Sequence, residues 1–113
     1  MLVIRSGTVK LPYDNPMTGV LGTWDLDTGT GVRSYLSPDI QFGSQWGGGM
    51  GTPFASPPNV VVSLAGIEAT GGQARLFVRV QNVQAEEFNI YVEVSDNCTL
   101  NWVWVTWVAT DAV

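Results

Sequence analysis

Between Pro57 and Thr110 the chain alternates apolar and polar residues in segment after segment, and that pattern leaves little choice of fold. Val60-Val61-Val62-Ser63-Leu64, Leu76-Phe77-Val78-Arg79-Val80 and Phe88-Asn89-Ile90-Tyr91-Val92-Glu93-Val94 each turn one apolar row toward a core and a second row outward. The next segment, Leu100 to Thr110, is apolar or aromatic on both rows. Its outer row, Trp102, Trp104 and Thr106, predicts contact with something other than bulk water: a partner chain, or a loop of the same chain. Consecutive strands with neither a helical period nor an internal repeat predict an all-β protein. Hairpin turns are expected at Ala69 to Gln73, Gln84 to Glu87 and Asp96 to Thr99.

Upstream the pattern is weaker. Leu2 to Leu11 reads as an opening strand, with Val3 and Val9 on one face and Leu2 and Ile4 on the other, ended by Pro12. Pro12 to Val32 is rich in turn-forming residues and predicts a long loop, with a short strand around Leu21-Gly22-Thr23-Trp24. Arg33 to Phe42 reads as a strand that Pro38 interrupts. Gly43 to Pro53 is glycine-dense around Trp46, whose indole either offers a stacking face to a sugar or folds back over one end of the domain. About six strands with Gly- and Pro-rich turns predict one antiparallel β-sandwich or barrel over residues 1–113.

Composition narrows the chemistry. Histidine is absent and Cys98 is the single cysteine, which excludes an internal disulfide, a zinc site of the Cys/His type, and nucleophile–histidine catalysis. Ten acidic residues against five basic ones give a net charge of −5, a poor match for nucleic acid or an anionic membrane surface. No apolar run approaches the ~20 residues of a spanning helix. The start, Met1 to Gly7, lacks the build of a signal peptide. It predicts an intracellular protein, or one that leaves by lysis or within a larger assembly and acts outside the cell or on a virion surface. For want of a leader, the Asn97-Cys98-Thr99 sequon is discounted. Asp25-Leu26-Asp27-Thr28-Gly29-Thr30-Gly31 begins like a calcium loop, but Gly29 and Leu36 stand where ligands belong, so no metal is expected. As a general acid/base pair the two aspartates are ill placed, since neighbours in one loop sit on one side of a bond.

Phe54 to Glu68, with Pro57-Pro58 leading its strand, resembles the H-type lectins, the family of snail agglutinins and discoidins. So do Ala74 to Val78, Asn82-Val83, Glu87 to Ile90, and the ending Val103-Trp104-Val105-Thr106-Trp107-Val108-Ala109, where the family buries a Trp near the strand's end. Ser6-Gly7-Thr8 and Gly22-Thr23-Trp24 fit as well. The resemblance implies a six-stranded antiparallel β-sandwich, H-type lectin-like, assembled as a homotrimer, with N-acetylgalactosamine- or galactose-type glycans bound in clefts between protomers. It implies Arg75 as a sugar ligand, Asp25 or Asp27 as a hydroxyl acceptor, and, from the turn before the last strand of a second protomer, Ser95, Asp96 and Asn97. The family's aromatic platform in that turn is missing here, and Trp46 is the candidate replacement.

The bland alternative for Arg75 and Arg79 is an ordinary solvated strand face, paired across to Glu93. Phe77, Arg79, Trp102 and Trp104 are expected at the trimer interface, with Phe77 and Tyr91 on the side of the two tryptophans. The resulting expectation is a calcium-independent lectin without cofactor or enzymatic activity, as a trimer or as a hexamer of two stacked trimers. The alternative is a structural trimerisation or receptor-binding tip domain of a larger assembly, such as a phage tail fibre.

Overall fold

In a computed structural model of the chain, the structure describes residues 3–15, 19–20, 24–27, 31–43, 54–71, 75–95 and 98–111. These form nine strand elements: β1 (Ile4–Leu11), β2 (Asp14–Asn15), β3 (Gly19–Val20), β4 (Arg33–Leu36), β5 (Ile40–Gln41), β6 (Asn59–Gly71), β7 (Arg75–Gln81), β8 (Glu87–Ser95) and β9 (Cys98–Thr110). All the pairings are antiparallel. One sheet runs β1-β9-β6; the facing sheet has β8 at its centre, β7 along one edge, and β4 and β5 end to end along the other. The four strands expected after Pro57 are β6 to β9, and the interruption at Pro38 is the gap between β4 and β5.

Only one of the three expected hairpins joins paired strands. β7 and β8 pair through the turn at 82–86, whereas β6 to β7 and β8 to β9 cross from one sheet to the other. The sequence marks those chain reversals correctly but not their partners, because a sheet-changing arch and a hairpin share the same turn residues.

The core lies between the sheets. Phe88, Ile90, Val92 and Val94 project inward from β8; Val103, Val105, Trp107 and Ala109 do so from β9; and Val9 and Leu11 from β1. Phe42, Phe54, Phe88 and Trp107 fill one end, with Phe42 stacked on Phe88 at 5.2 Å and Trp107 edge-on to Phe88 at 5.3 Å. Each such aromatic pair adds about 0.5–1.5 kcal/mol beyond its buried area. Trp107 is thus the buried Trp expected near the last strand's end. Its indole lies against the backbone of Gly7, its partner in register. The Nε1 of Trp107 is buried without a hydrogen-bond partner among the described residues.

The double apolar row of β9 has a local cause. Asn101 is skipped where the register passes from Glu68↔Trp102 to Ala69↔Leu100, so inward positions change parity there. Cys98 and Leu100 point into the core on even numbers, while Trp102 and Trp104 point out on even numbers. A second extra residue, Ala65, does the same to β6 between Leu64 and Gly66.

Candidate functional site

Alternation carries Arg75, Phe77 and Arg79 to the outer face of β7, since Leu76, Val78 and Val80 pack toward the core. Register then fixes their neighbours: Ser95 lies across from Arg75, Glu93 from Phe77, and Tyr91 from Arg79. The third strand adds Ser34 beside Glu93 and Leu36 beside Tyr91. The result is an open tile, not a cleft, on which Phe77 is 63% exposed. The Arg79 guanidinium sits over the Tyr91 ring, 4.4 Å from its centroid. Tyr91 in turn donates its hydroxyl proton to Glu93 Oε1 at 2.7 Å. Glu93 is thus held on Oε1 by Tyr91, while the Arg79 guanidinium lies over the Tyr91 ring.

Asp25 and Asp27 are exposed and flank Leu26, which is fully buried. The Leu100 amide donates to the Leu26 carbonyl at 2.9 Å, and Trp24 Nε1 donates to the Leu100 carbonyl at 2.9 Å. Trp24 also packs edge-on against Tyr35, centroids 5.1 Å apart. Buried Arg33 donates through its guanidinium to the Cys98 carbonyl. These contacts anchor the aspartate loop on the first residues of β9, just past the crossover from Ser95. Arg75 and Ser95, the last pair of the β7–β8 ladder, lie at that same end of the sandwich. The resemblance assigns Ser95 to a second protomer's contribution, yet it stands across from Arg75 within one chain; Trp46, Asp96 and Asn97 lie outside the described residues.

Trp102 and Trp104 do not share a side with Phe77 and Arg79. β9 and β7 belong to different sheets whose inner faces meet in the core, so their outer rows face away from each other. The ledge on the β1-β9-β6 sheet consists of Trp102, Trp104 and Val108 with Val61 alongside. Trp102 Nε1 donates to Glu68 Oε2, and Lys10 Nζ lies 5.6 Å from the Trp102 ring centroid. A single interface patch of Phe77, Arg79, Trp102 and Trp104 is thereby corrected to two separate surfaces.

Several polar residues that shape this region gave little sign in the sequence. Arg33 is inward because it shares parity with Tyr35, which the spacing of two does signal. Asn89 sits on an outward position of β8 yet is buried, because Ser37 and Asp39 close over it. Its Nδ2 donates to the Ser37 carbonyl and to Asp39 Oδ1, both at 3.0 Å, while its Oδ1 accepts from Asn82 Nδ2. Nearby, the Glu87 carboxyl is raised from its ordinary value by a hydrogen bond with Asp39, then by burial and by the charges of Asp39 and Glu86. Burial likewise raises Tyr13 and Tyr35, whose hydroxyl accepts from the Tyr13 amide at 3.1 Å. No group of three or more His, Cys, Asp or Glu side chains is arranged to hold a metal ion among the described residues.

Comparison with known proteins is specific. The H-type lectin domain family model matches residues 51–110. Two solved structures of discoidin II from Dictyostelium discoideum share the fold. The recombinant native form is 19% identical, with a TM-score of 0.72, covering 97% of this chain and 37% of that one. The wild-type form is 18% identical, with a TM-score of 0.73, covering 100% of this chain and 38% of that one. The chain thus spans under two-fifths of the length of those proteins. No curated protein sequence matches it.

Proposed function

Since the chain belongs to the H-type lectin domain family, we propose that it is a calcium-independent, non-enzymatic lectin for N-acetylgalactosamine- or galactose-type glycans. Arg75 is the principal ligand. Its planar guanidinium offers five fixed donors to the hydroxyls that converge on one edge of a sugar. Ser95 stands beside it, and Asp25 or Asp27 accepts from the sugar's hydroxyls at the same end of the sandwich. Asp96 and Asn97 contribute from the crossover of a neighbouring protomer, with Trp46 as a further stacking candidate. The observation that carries this reading is Arg75 exposed on an outward strand position within the span that matches the family.

The ledge supports the reading that the chain assembles as a homotrimer. Trp104 and Val108 are each 39% exposed and Val61, the cross-strand neighbour of Val108, 68%, exposed apolar side chains that suit cover by another chain. Covering it with sister copies would link several sites in one body. Weak single sites linked on one rigid body then gain roughly 10²-fold in effective affinity for clustered glycans.

A glycan array with and without a chelator, read beside sedimentation velocity, tests both parts. Selective galactoside signals that survive chelation, carried by a trimer, are expected. Arg75→Ala should weaken binding about 30- to 150-fold, the equivalent of about 2–3 kcal/mol for charge-assisted hydrogen bonds, at unchanged melting temperature. Silence across the array with an intact trimer would replace the lectin with the structural attachment domain; unchanged binding by the Arg75 variant would remove that residue from the site.

A further inference from the structure

We propose that Trp102, Trp104, Glu68 and Lys10 form a second sugar-binding site, over the bare backbone of Gly66 on the outer face of the β1-β9-β6 sheet, for a neutral pyranose with equatorial hydroxyls. It lies on the opposite side of the sandwich from Arg75 and does not depend on that site. Register builds it from three strands. Lys10 on β1, Trp104 on β9 and Gly66 on β6 stand in one cross-strand row, and Trp102 faces Glu68 in the next outward row. The two tryptophan Cα atoms are about 6.8 Å apart along β9, and Cβ atoms of facing residues about 4.5–5.5 Å across the ladder.

Gly66 opens the floor of this patch. A Cβ built there sits 3.8 Å from both Trp102 Cζ3 and Trp104 Cδ1, ordinary contact distances, so the two indoles flank a space that the sequence leaves without a side chain. Gly66 does not adopt the left-handed conformation that demands glycine. Neither strain nor crowding therefore accounts for it, and glycine inside a strand also marks a place that a ligand approaches closely. The bulge at Ala65 immediately precedes it, and bulges re-aim side chains beside binding sites.

Each group suits a hydroxyl-rich neutral ring. Trp104, 39% exposed, offers its face to axial C–H groups, while equatorial hydroxyls radiate around the rim toward the charged side chains. Trp102 Nε1 donates to Glu68 Oε2, which orients the carboxylate and leaves Oε1 to accept from a ligand. Lys10 Nζ, 5.6 Å from the Trp102 ring centroid, supplies donors at the same rim. The charges also decide among occupants. Interface cores are depleted of charge, whereas a cation and an anion stand beside these indoles. A nucleic acid would meet Glu68 on a chain of net charge −5. Thr106, across from Thr8 with hydroxyl oxygens 3.3 Å apart, separates the patch from Val108. Val61 and Val108 then remain for a sister copy.

The experiment is titration of the full chain with methyl β-glucoside, following the indole Nε1–H resonances of Trp102 and Trp104 by NMR, for wild type and the Arg75→Ala, Trp104→Ala, Glu68→Gln and Gly66→Val variants. Both indole resonances are expected to shift in the wild type, with the same affinity in Arg75→Ala. Trp104→Ala should weaken binding, read at Trp102, about tenfold, and Glu68→Gln by a factor of about five to ten. Gly66→Val fills the gap between the indoles and should abolish binding without lowering the melting temperature, since valine suits a strand better than glycine. Sedimentation coefficients should match the wild type throughout. Wild-type affinity in Gly66→Val or Trp104→Ala would overturn the proposal. So would loss of an oligomer in Trp104→Ala, which would make the ring an interface residue. Indole resonances that stay fixed while galactosides still bind would refute this second site and leave the Arg75 site standing.

Discussion

Replacing Gly7 by alanine should cost about 1–2 kcal/mol of stability, a large effect for one methyl group. A Cβ built there meets Trp107 Cζ2 and Nε1 at 2.9 Å and Cε2 at 3.0 Å. Comfortable carbon contacts lie at about 3.5–4.0 Å, so the indole must retreat by on the order of half to one ångström. It has nowhere to go, because Phe42 and Phe88 hold it from the core side with ring centroids at 5.8 and 5.3 Å. Overpacking of this kind costs about 1–3 kcal/mol. Loss of glycine's freedom in the unfolded chain offsets about 0.5–1 kcal/mol of that. With an unfolding entropy of about 0.24 kcal/mol per kelvin for a chain of this length, the melting temperature falls by about 4–8 °C. Thermal melts followed by circular dichroism measure it. The same substitution in a Trp107→Phe background should cost less than about 0.5 kcal/mol, because the ring atoms that crowd position 7 are gone. A Gly7→Ala melt at or above wild type, or an equal cost in both backgrounds, would refute the stacking of Trp107 on the β1 backbone.

Two other predictions rest on the polar contacts. Arg33→Ala should lower stability by about 2–4 kcal/mol in urea titrations and speed amide exchange at Leu100, since truncation empties a buried site and strips the Cys98 carbonyl of a donor; a loss below about 1 kcal/mol would deny Arg33 that role. For Glu87 the folded-state carboxyl is raised above its ordinary value near 4.5, so the folded chain retains a proton that the unfolded chain releases. That stabilising contribution is complete below the unfolded value and disappears as pH rises through the folded one. Glu87→Gln is expected to flatten the decline in melting temperature over this window; parallel profiles for the two proteins would count against the shared proton with Asp39.

The strand block was legible because its alternation directly encodes burial. Odd and even residues of β7 and β8 separate outer from inner without exception among the apolar positions, and the core place of Trp107 was legible through the family resemblance, which implies a buried Trp near the last strand's end. Sheet membership was not legible: the turns after β6 and β8 read as hairpins, and only the packed structure shows that they change layers. That single ambiguity put Phe77 on the same side as Trp102. The parity slip at Asn101 escaped for a related reason, since a bulge has no residue signature of its own once both rows are apolar. Of the candidate site, Arg75 and the outward row around it were readable from period and resemblance together. Ser95 as an intrachain neighbour and the burial of Asn89 depend on register and on cover by a remote segment, which a one-dimensional pattern does not contain.

The bulges at Ala65 and Asn101 have a consequence for how these molecules behave in a crowd. β6 runs for thirteen residues along the rim of its sheet, long enough, if straight, to recruit an identical strand and seed a fibre. An extra residue on β6 and another on its partner coil that rim out of plane, so a second copy approaching edge to edge finds its amides out of step after a few bonds. Open-ended backbone polymerisation along that rim is thereby discouraged.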